Sequence, residues 1–325
     1  MIAAARTHDA SGRRRRLQPT STGKRITLQE RDWRWLQLLH EHGPLASSFL
    51  LAFAAGLGSS EKRAKERLTD LFNEDNTAHG GPYLTRPPQQ FHTLDSRYNQ
   101  IVYDLAPAAK RALKERGTWR PKAIRAGGPW LHQFMASSIT ASIDLATREH
   151  LDLSFIPQTD ILERADTDLS YPVEFVDPVT TSQVKKTLKP DAVFGLVYHT
   201  AAGDRYRFFV VEADRSTEPF SSRNFNRKSV LRNYVQYRTY VGQGKYKEHL
   251  KLTAPLLVLN VCSDVDRAAR MQKLITDQGE GGNSYLLFQV WEAFAAPFRP
   301  PRPSSALLFS PWARPGTADM VIAKA

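Results

Sequence analysis

Two short stretches decide the fold of the second half of this 325-residue chain: Lys189-Pro190-Asp191 and Phe208-Phe209-Val210-Val211-Glu212-Ala213-Asp214. The turn between them, His199-Thr200-Ala201-Ala202-Gly203-Asp204, is centred between Ala201 and Ala202. A simple hairpin around that centre pairs residues whose numbers sum to about 403, which sets Asp191 opposite Glu212. Strand alternation places Asp214, two residues further on, on the same face.

Three carboxylates on one face repel one another unless a cation lies among them. Oxygen ligands suit Mg²⁺, which keeps several waters and needs few protein carboxylates. Asp191, Glu212 and Asp214 are therefore predicted to be catalytic residues and metal ligands. The alternative is that these acids are solvated at exposed strand ends, but the apolar run that leads into Glu212 favours a site.

The surrounding pattern predicts an α/β fold with a mixed sheet, because strands are grouped early and alternate with helices later. The expected order is helix 131–149, strands near 153–156, 191–198 and 205–213, helix 224–240, strand 255–262, helix 264–276 and strand 285–290. Residues 157–187 are polar and irregular, and they stay unassigned or form an insertion.

Pro190-Asp191 and Glu212-x-Asp214 within this order resemble the core of the PD-(D/E)xK nuclease superfamily. The string from Glu212 to Glu218, followed by Lys228 and Tyr234, resembles the replication-relaxation family of plasmids and mobile elements. That family also begins with a winged helix. The resemblance spans roughly residues 27–290, and it implies a DNA-acting protein with a nuclease-like second domain.

The chain departs from the superfamily pattern at one position. The pattern has a lysine two residues after the acidic ligand, where this chain has Asp214. The resemblance implies that Lys228, from the following helix, takes the lysine's catalytic role of stabilising charge on the scissile phosphate. Basic residues nearby are predicted to bind flanking phosphates or, alternatively, to be solvated surface charges: Arg215, Arg223 and Arg227.

The first part of the chain predicts three helices followed by a β-hairpin with a basic tip, which is the order of a winged helix. Thr27-Leu28-Gln29-Glu30 has the pattern of a capping box and opens the first helix. The third helix and the wing carry the predicted DNA contacts, which are Lys62, Arg63, Lys65, Arg67, Arg86 and Arg97. The alternative is a helical packing or dimerisation module whose charged face is only solvated.

Composition narrows the class of protein. A formal net charge of +12 favours a polyanionic partner. No apolar run reaches the roughly 18 residues of a membrane span, and the first residues lack the apolar segment of a secretion signal. The single cysteine, Cys262, excludes an internal disulfide. We therefore expect a cytoplasmic protein without membrane partners.

The expected organisation has five parts. They are a disordered basic arm over 1–24 that includes Arg13–Arg16, a winged-helix domain over 25–117, a linker over 118–129, a PD-(D/E)xK-like domain over 130–295 and a proline-rich tail over 296–325 without a core of its own.

Two hypotheses of function follow. The first is a DNA-binding protein of a plasmid or mobile element that acts in replication, relaxation or transfer as a Mg²⁺-dependent nicking endonuclease. The second is a non-catalytic accessory or regulatory DNA-binding protein whose nuclease-like domain is degenerate. Double-stranded DNA is the expected partner in both, together with other replication or mobilisation proteins.

Overall fold

The computed structural model of the chain describes residues 16–57, 60–74, 80–91, 99–124, 128–177, 180–222, 227–278, 283–295 and 299–324. The chain forms two compact units, Met1–Arg120 and Pro121–Ala325. The mixed α/β class predicted from the sequence is confirmed, since helices accompany a large mixed sheet.

The first unit combines helices with a small antiparallel sheet. Its elements in chain order are α1 (Glu30–His42), β1 (Leu45–Ala46), α2 (Ser47–Phe53), α3 (Glu61–Asn73), β2 (Leu84–Thr85), a short 3-10 helix (Pro88–Phe91), β3 (Val102–Leu105) and α4 (Pro107–Glu115). The three strands lie in the order β1-β3-β2, and both pairings are antiparallel.

Helix α3 follows the sequence prediction closely. Ser60 caps it by accepting a hydrogen bond from the Arg63 amide, and its apolar stripe is buried from Ala64 to Phe72. Helix α1 begins differently from the prediction. Its first residue is Glu30, and the amide of Gln29 donates to the Asp32 carboxylate at 2.9 Å, so the cap lies two residues after Thr27.

The last part of the predicted arm is held against α3. Thr22 and Lys24 donate backbone hydrogen bonds to the buried Glu74 carboxylate, and the hydroxyls of Ser21 and Thr22 donate to it as well. This differs from the expectation of a disordered arm over 1–24, because a buried carboxylate needs donors and the segment supplies them. Residues 1–15 lie outside the described part of the chain.

The second unit is built around a seven-stranded sheet. Its helices are α5 (Trp130–Thr147), α6 (Gln158–Ala165), α7 (Val230–Tyr240), α8 (Lys245–His249), α9 (Val265–Gln278) and α10 (Ala306–Phe309). Its strands are β4 (Leu153–Ile156), β5 (Tyr171–Val176), β6 (Gln183–Leu188), β7 (Ala192–Thr200), β8 (Gly203–Asp214), β9 (Leu256–Cys262), β10 (Leu286–Val290), β11 (Trp312–Arg314) and β12 (Thr317–Met320).

The order in the sheet is β12-β11-β10-β9-β8-β7-β4, with parallel pairing between β8 and β9 and between β9 and β10. Strands β5 and β6 form a separate hairpin. Residues 157–187, for which the sequence predicts no helix or strand, therefore contain α6 and all but the last residue of this hairpin.

The register predicted for the central hairpin is confirmed along β7 and β8. Ala192 pairs with Val211 at one end and Thr200 pairs with Gly203 at the other. Gly203 adopts a left-handed backbone with φ +108°, which suits glycine at the turn. Asp191 comes immediately before β7, and its amide donates to the Val211 carbonyl at 3.0 Å.

Alternation along these strands divides the core. Val193, Phe208 and Val210 point to the face covered by α6, α7 and α9. Their neighbours Phe194 and Phe209 point to the other face and stack at 5.0 Å between ring centroids. Both faces of the central strands are apolar, so the sheet is a buried layer between helices.

The proline-rich segment differs from its prediction as a tail without a core. It contributes α10, β11 and β12 and thereby extends the sheet by two strands. Leu308, Trp312 and Ile322 are fully buried there. These apolar residues are too sparse to predict a core by themselves, but together they complete one that the rest of the unit supplies.

Among the described residues, no helix combines the length and the apolar character that crossing a membrane requires.

We predict that acid destabilises the second unit through His249. The ring is buried, and its Nε2 donates to the Asp168 carbonyl at 2.8 Å, so in the neutral form its Nδ1 accepts the Tyr240 hydroxyl at 2.7 Å. Burial lowers the pKa of His249, so below about pH 6.5 the unfolded chain binds a proton that the folded chain does not.

His249 therefore makes the free energy of unfolding rise with pH below about 6.5, opposite in sign to the contributions of His132 and Glu212, whose pKa values are raised. Urea titrations between pH 5 and 7.5 measure this slope. Compared with the unchanged protein, His249→Gln should lose less stability as the pH falls, whereas His150→Gln, which changes an exposed histidine, should keep the same slope. Equal slopes in all three proteins would contradict the assignment.

Candidate functional site

Asp191 is buried at the start of β7 with both of its oxygens engaged. Oδ2 accepts the Ala213 amide at 2.9 Å, and Oδ1 lies 2.8 Å from Nε2 of His132, in the first turn of α5. Burial by itself would lower the pKa of His132, but the hydrogen bond and the charge of Asp191 outweigh it and raise the pKa. The pair is therefore a hydrogen bond that becomes an ionic contact when the ring is protonated.

Glu212 lies on β8 beside Asp191 and is partly buried. The Tyr237 hydroxyl, from α7, donates a short hydrogen bond to its Oε1. Loss of hydration, followed by the charge of Asp191, raises the pKa of Glu212 to about 8. The two carboxylates therefore repel each other while separate helices hold each of them in place.

Lys228, just before α7, contributes a positive charge that interacts with both carboxylates. Its Nζ contacts Oε1 of Glu218 at 2.6 Å, and its side chain is about half exposed. Burial would lower the pKa of Lys228, but the charges of Glu212 and Glu218 raise it, so the ammonium stays charged. The structure thus brings Lys228 to the carboxylate pair, with Glu218 as its direct partner.

Asp214 has a different environment from the other predicted metal ligands. Its two oxygens accept hydrogen bonds from Arg267 of α9 at 3.1 and 3.0 Å, and Oδ1 also accepts the Ser216 amide at 2.7 Å. Arg267 is almost fully buried and stacks on Phe220. The Asp214 carboxylate is therefore paired with a buried arginine, and its role as a metal ligand stays a prediction.

The carboxylate pair opens into a pocket of about 510 Å³. Its charged lining consists of Asp191, Glu212, Glu218, His132, Lys189, Arg215, Lys228 and Arg232. Within the described part of the second unit, no three His, Cys, Asp or Glu ligand atoms lie within 4.8 Å of one another. A metal ion here would therefore depend on two carboxylates and water, which is a ligand set that Mg²⁺ accepts.

The basic residues predicted on α3 divide into two groups. Lys62, Arg63 and Lys65 are exposed, and Lys65 makes a surface pair with Glu61 at 2.5 Å. Arg67 instead contacts the fully buried Asp32 at 2.6 Å and donates to the Thr27 carbonyl at 2.7 Å. The Arg67 guanidinium therefore makes its hydrogen bonds inside the unit.

Arg86, predicted on the wing, also makes its contacts within the first unit. Its guanidinium stacks on the rings of Phe72 and Tyr103 at 3.9 and 5.2 Å, and it donates to the Arg16 carbonyl at 2.9 Å. Of the remaining predicted contacts, Arg215 lines the pocket and Arg227 is exposed. Arg97 and Arg223 lie outside the described residues.

Sequence reasoning missed three partners of the acids: His132, Tyr237 and Arg267. Tyr237 belongs to a row of tyrosines at intervals of three, with Tyr234 and Tyr240, a spacing that fits core packing, substrate packing or a tyrosine nucleophile and does not single out one hydroxyl. No local pattern marks His132 or Arg267, because each meets its carboxylate only through the tertiary fold.

Comparison with family models gives one match. The model described as replication-relaxation matches residues 36–256, which is more than half of the chain and includes Asp191, Glu212, Asp214 and Lys228. Comparisons with curated proteins and with solved structures find no match.

We predict that Glu212→Gln stabilises the protein in metal-free buffer at pH 7.5. The unfolded chain ionises Glu212 above about pH 4.5, whereas loss of hydration and Asp191 keep it protonated in the folded protein up to about pH 8. Glutamine removes that difference, so the midpoint of thermal unfolding should rise by about 2 °C or more. Glu149→Gln, at an exposed glutamate, should leave it unchanged. A lower midpoint for Glu212→Gln would show that the charge is not repelled there.

Proposed function

We propose, from the premise that this chain belongs to the replication-relaxation family, that it binds duplex DNA through its first unit and nicks one strand through its second. Family membership suggests a role in the replication or relaxation of plasmids or mobile elements. The DNA-binding and nuclease parts of the proposal rest on separate observations in the two units.

The order of elements in the first unit supports a winged helix. Three helices, with β1 between the first two, are followed by an antiparallel pair formed by β2 and β3. In that fold the third helix enters the major groove. Lys62, Arg63 and Lys65 are exposed on α3, and the chain carries a net charge of +12, so phosphates are the natural first contacts.

The carboxylate pair is the observation that carries the nuclease proposal. Asp191 and Glu212 come from neighbouring strands, and the pKa of Glu212 is raised to about 8 by lost hydration and by Asp191. A divalent cation relieves such repulsion, and the oxygen donors fit Mg²⁺. When bound, Mg²⁺ would supply an activated water and neutralise charge at the phosphate.

The remaining side chains have roles of their own in this proposal. Lys228 stabilises the negative charge that develops on the scissile phosphate. Arg215 and Arg232, on the wall of the pocket, bind the neighbouring phosphates. His132 and Tyr237 position the two carboxylates through the hydrogen bonds described above.

One observation favours the alternative of a non-catalytic DNA-binding accessory protein. The position where the PD-(D/E)xK pattern has a lysine is held by Asp214, and Arg267 pairs with it. The second unit would then be a scaffold or a surface for replication and mobilisation partners. DNA binding without any nicking by the intact protein would decide for this alternative.

We predict that Lys62→Glu combined with Arg63→Glu weakens binding to duplex DNA. Two lost phosphate contacts should reduce the slope of log affinity against log salt by about 2, at about 0.9 per contact. Fluorescence anisotropy over a salt series measures it. The matched control is Lys110→Glu with Lys114→Glu, which makes the same charge change on α4. Equal losses of affinity in both double variants would show that the effect depends only on the net charge of the protein and not on α3.

We predict that the intact protein converts supercoiled plasmid to open circles with Mg²⁺ and not with EDTA. Glu212→Ala should abolish nicking because it removes a proposed ligand. Lys228→Ala should slow nicking about 100-fold with little change in DNA binding, since its charge acts in the transition state. Lys185→Ala, at an exposed lysine of β6, is the control. Undiminished nicking by Glu212→Ala would overturn the proposed site.

A further inference from the structure

A hydrogen-bonded set of serine, histidine and aspartate side chains lies at the end of the central strands away from Asp191 and Glu212. Ser154 on β4, His199 on β7 and Asp204 on β8 occupy three neighbouring strands. The Ser154 Oγ lies 2.8 Å from Nε2 of His199, and Nδ1 of the same ring lies 2.8 Å from Oδ1 of Asp204. Asp204 and Glu212 are eight positions apart on the extended β8. At the usual rise per residue this is roughly 26 Å, so the two sites are separate.

The hydrogen bonds determine which ring nitrogen of His199 carries a proton. The Asp204 carboxylate can only accept, so Nδ1 of His199 carries the proton and donates it. In the neutral ring Nε2 is then the acceptor, and the Ser154 hydroxyl donates to it. This is the arrangement by which a histidine, oriented by a carboxylate, acts as the base for a serine nucleophile.

The sheet holds the three side chains in line. His199 pairs directly with Asp204, and Ser154 pairs with Val197, two residues before His199 on the same face. Val197 in turn pairs with Tyr206, which is 46% exposed. A small apolar group bound beside Ser154 would therefore lie across Val197 and Tyr206.

We propose that Ser154, His199 and Asp204 form a nucleophilic site for carboxylic esters with an accessible, small acyl group. Ser154 Oγ attacks the ester carbonyl carbon while its proton passes to Nε2 of His199. The alcohol leaves and takes that proton, which leaves Ser154 acylated. Water then attacks the same carbon, gives a proton to His199 and releases the carboxylic acid, and the proton returns to Ser154.

The solvent exposure of His199 and Asp204 limits the substrates of this site and its rate of ester hydrolysis. The side chains of His199 and Asp204 are 40% and 47% exposed, so water competes for their hydrogen bonds. Activated esters, whose alcohols leave without much assistance, are the class that such a site accepts. The activity does not depend on the proposed action on DNA.

The test treats the full-length protein with a fluorophosphonate probe, which forms an Oγ–P bond with an activated serine and releases fluoride. Mass spectrometry of peptides locates and times the labelling. Ser154 should react at least about 100-fold faster than Ser182, as expected for general-base assistance. Ser182 is the control because it is exposed and its hydroxyl is hydrogen-bonded to Thr180. His199→Gln should remove this advantage, and Asp204→Asn should reduce it.

Hydrolysis of p-nitrophenyl acetate gives a second readout. The intact protein should show a burst of p-nitrophenol as Ser154 is acylated, and Ser154→Ala should lose the burst while its unfolding midpoint and DNA binding stay unchanged. Labelling of Ser154 no faster than Ser182, or labelling that persists in His199→Gln, would overturn the proposal and leave the three residues as a surface hydrogen-bond network.

Discussion

The pairing of β7 with β8 is the constraint on which the second unit depends. Nine consecutive pairs, from Ala192–Val211 to Thr200–Gly203, fix which side chains share a face. A slip of one residue would turn Val193 and Val210 away from the helices that cover them. The same register brings Asp191 to Glu212 at one end of the strands and His199 to Asp204 at the other. Chemistry at both ends is thus tied to the burial of the apolar residues between them.

This hairpin could be predicted from sequence because it is local, and the midpoint of one turn determines every pair along it. The partners of its acids could not be predicted. His132 lies 59 positions before Asp191 and Arg267 lies 53 positions after Asp214. Helical periodicity tells that α5 and α9 have buried faces, but not which side chain of such a face meets a carboxylate. The strand and the face of Asp214 follow from the hairpin, whereas its pairing with Arg267 depends on the tertiary fold.

The positions of basic residues in the sequence predict their contacts less accurately than the hairpin midpoint predicts strand pairing. Lys62 and Arg63 are exposed as a DNA-contact prediction requires, but Arg67 and Arg86 look the same in the sequence and are committed to Asp32 and to two aromatic rings. A guanidinium satisfies a buried acid or stacks on a ring as readily as it binds a phosphate. Only the tertiary structure separates these uses.

The late strands β11 and β12 also bear on how the protein is made. They are synthesised after the rest of the sheet, and β11 pairs with β10. Until they leave the ribosome, β10 presents an unpaired row of backbone groups at a growing edge, where another nascent chain could add. The buried ring of Trp312 and the bond from the Tyr198 hydroxyl to the Ile322 carbonyl form only then. Emergence of residues 312–322 thus covers the edge of β10, and a chain that stalls before Pro311 would leave that edge open to pairing with other chains.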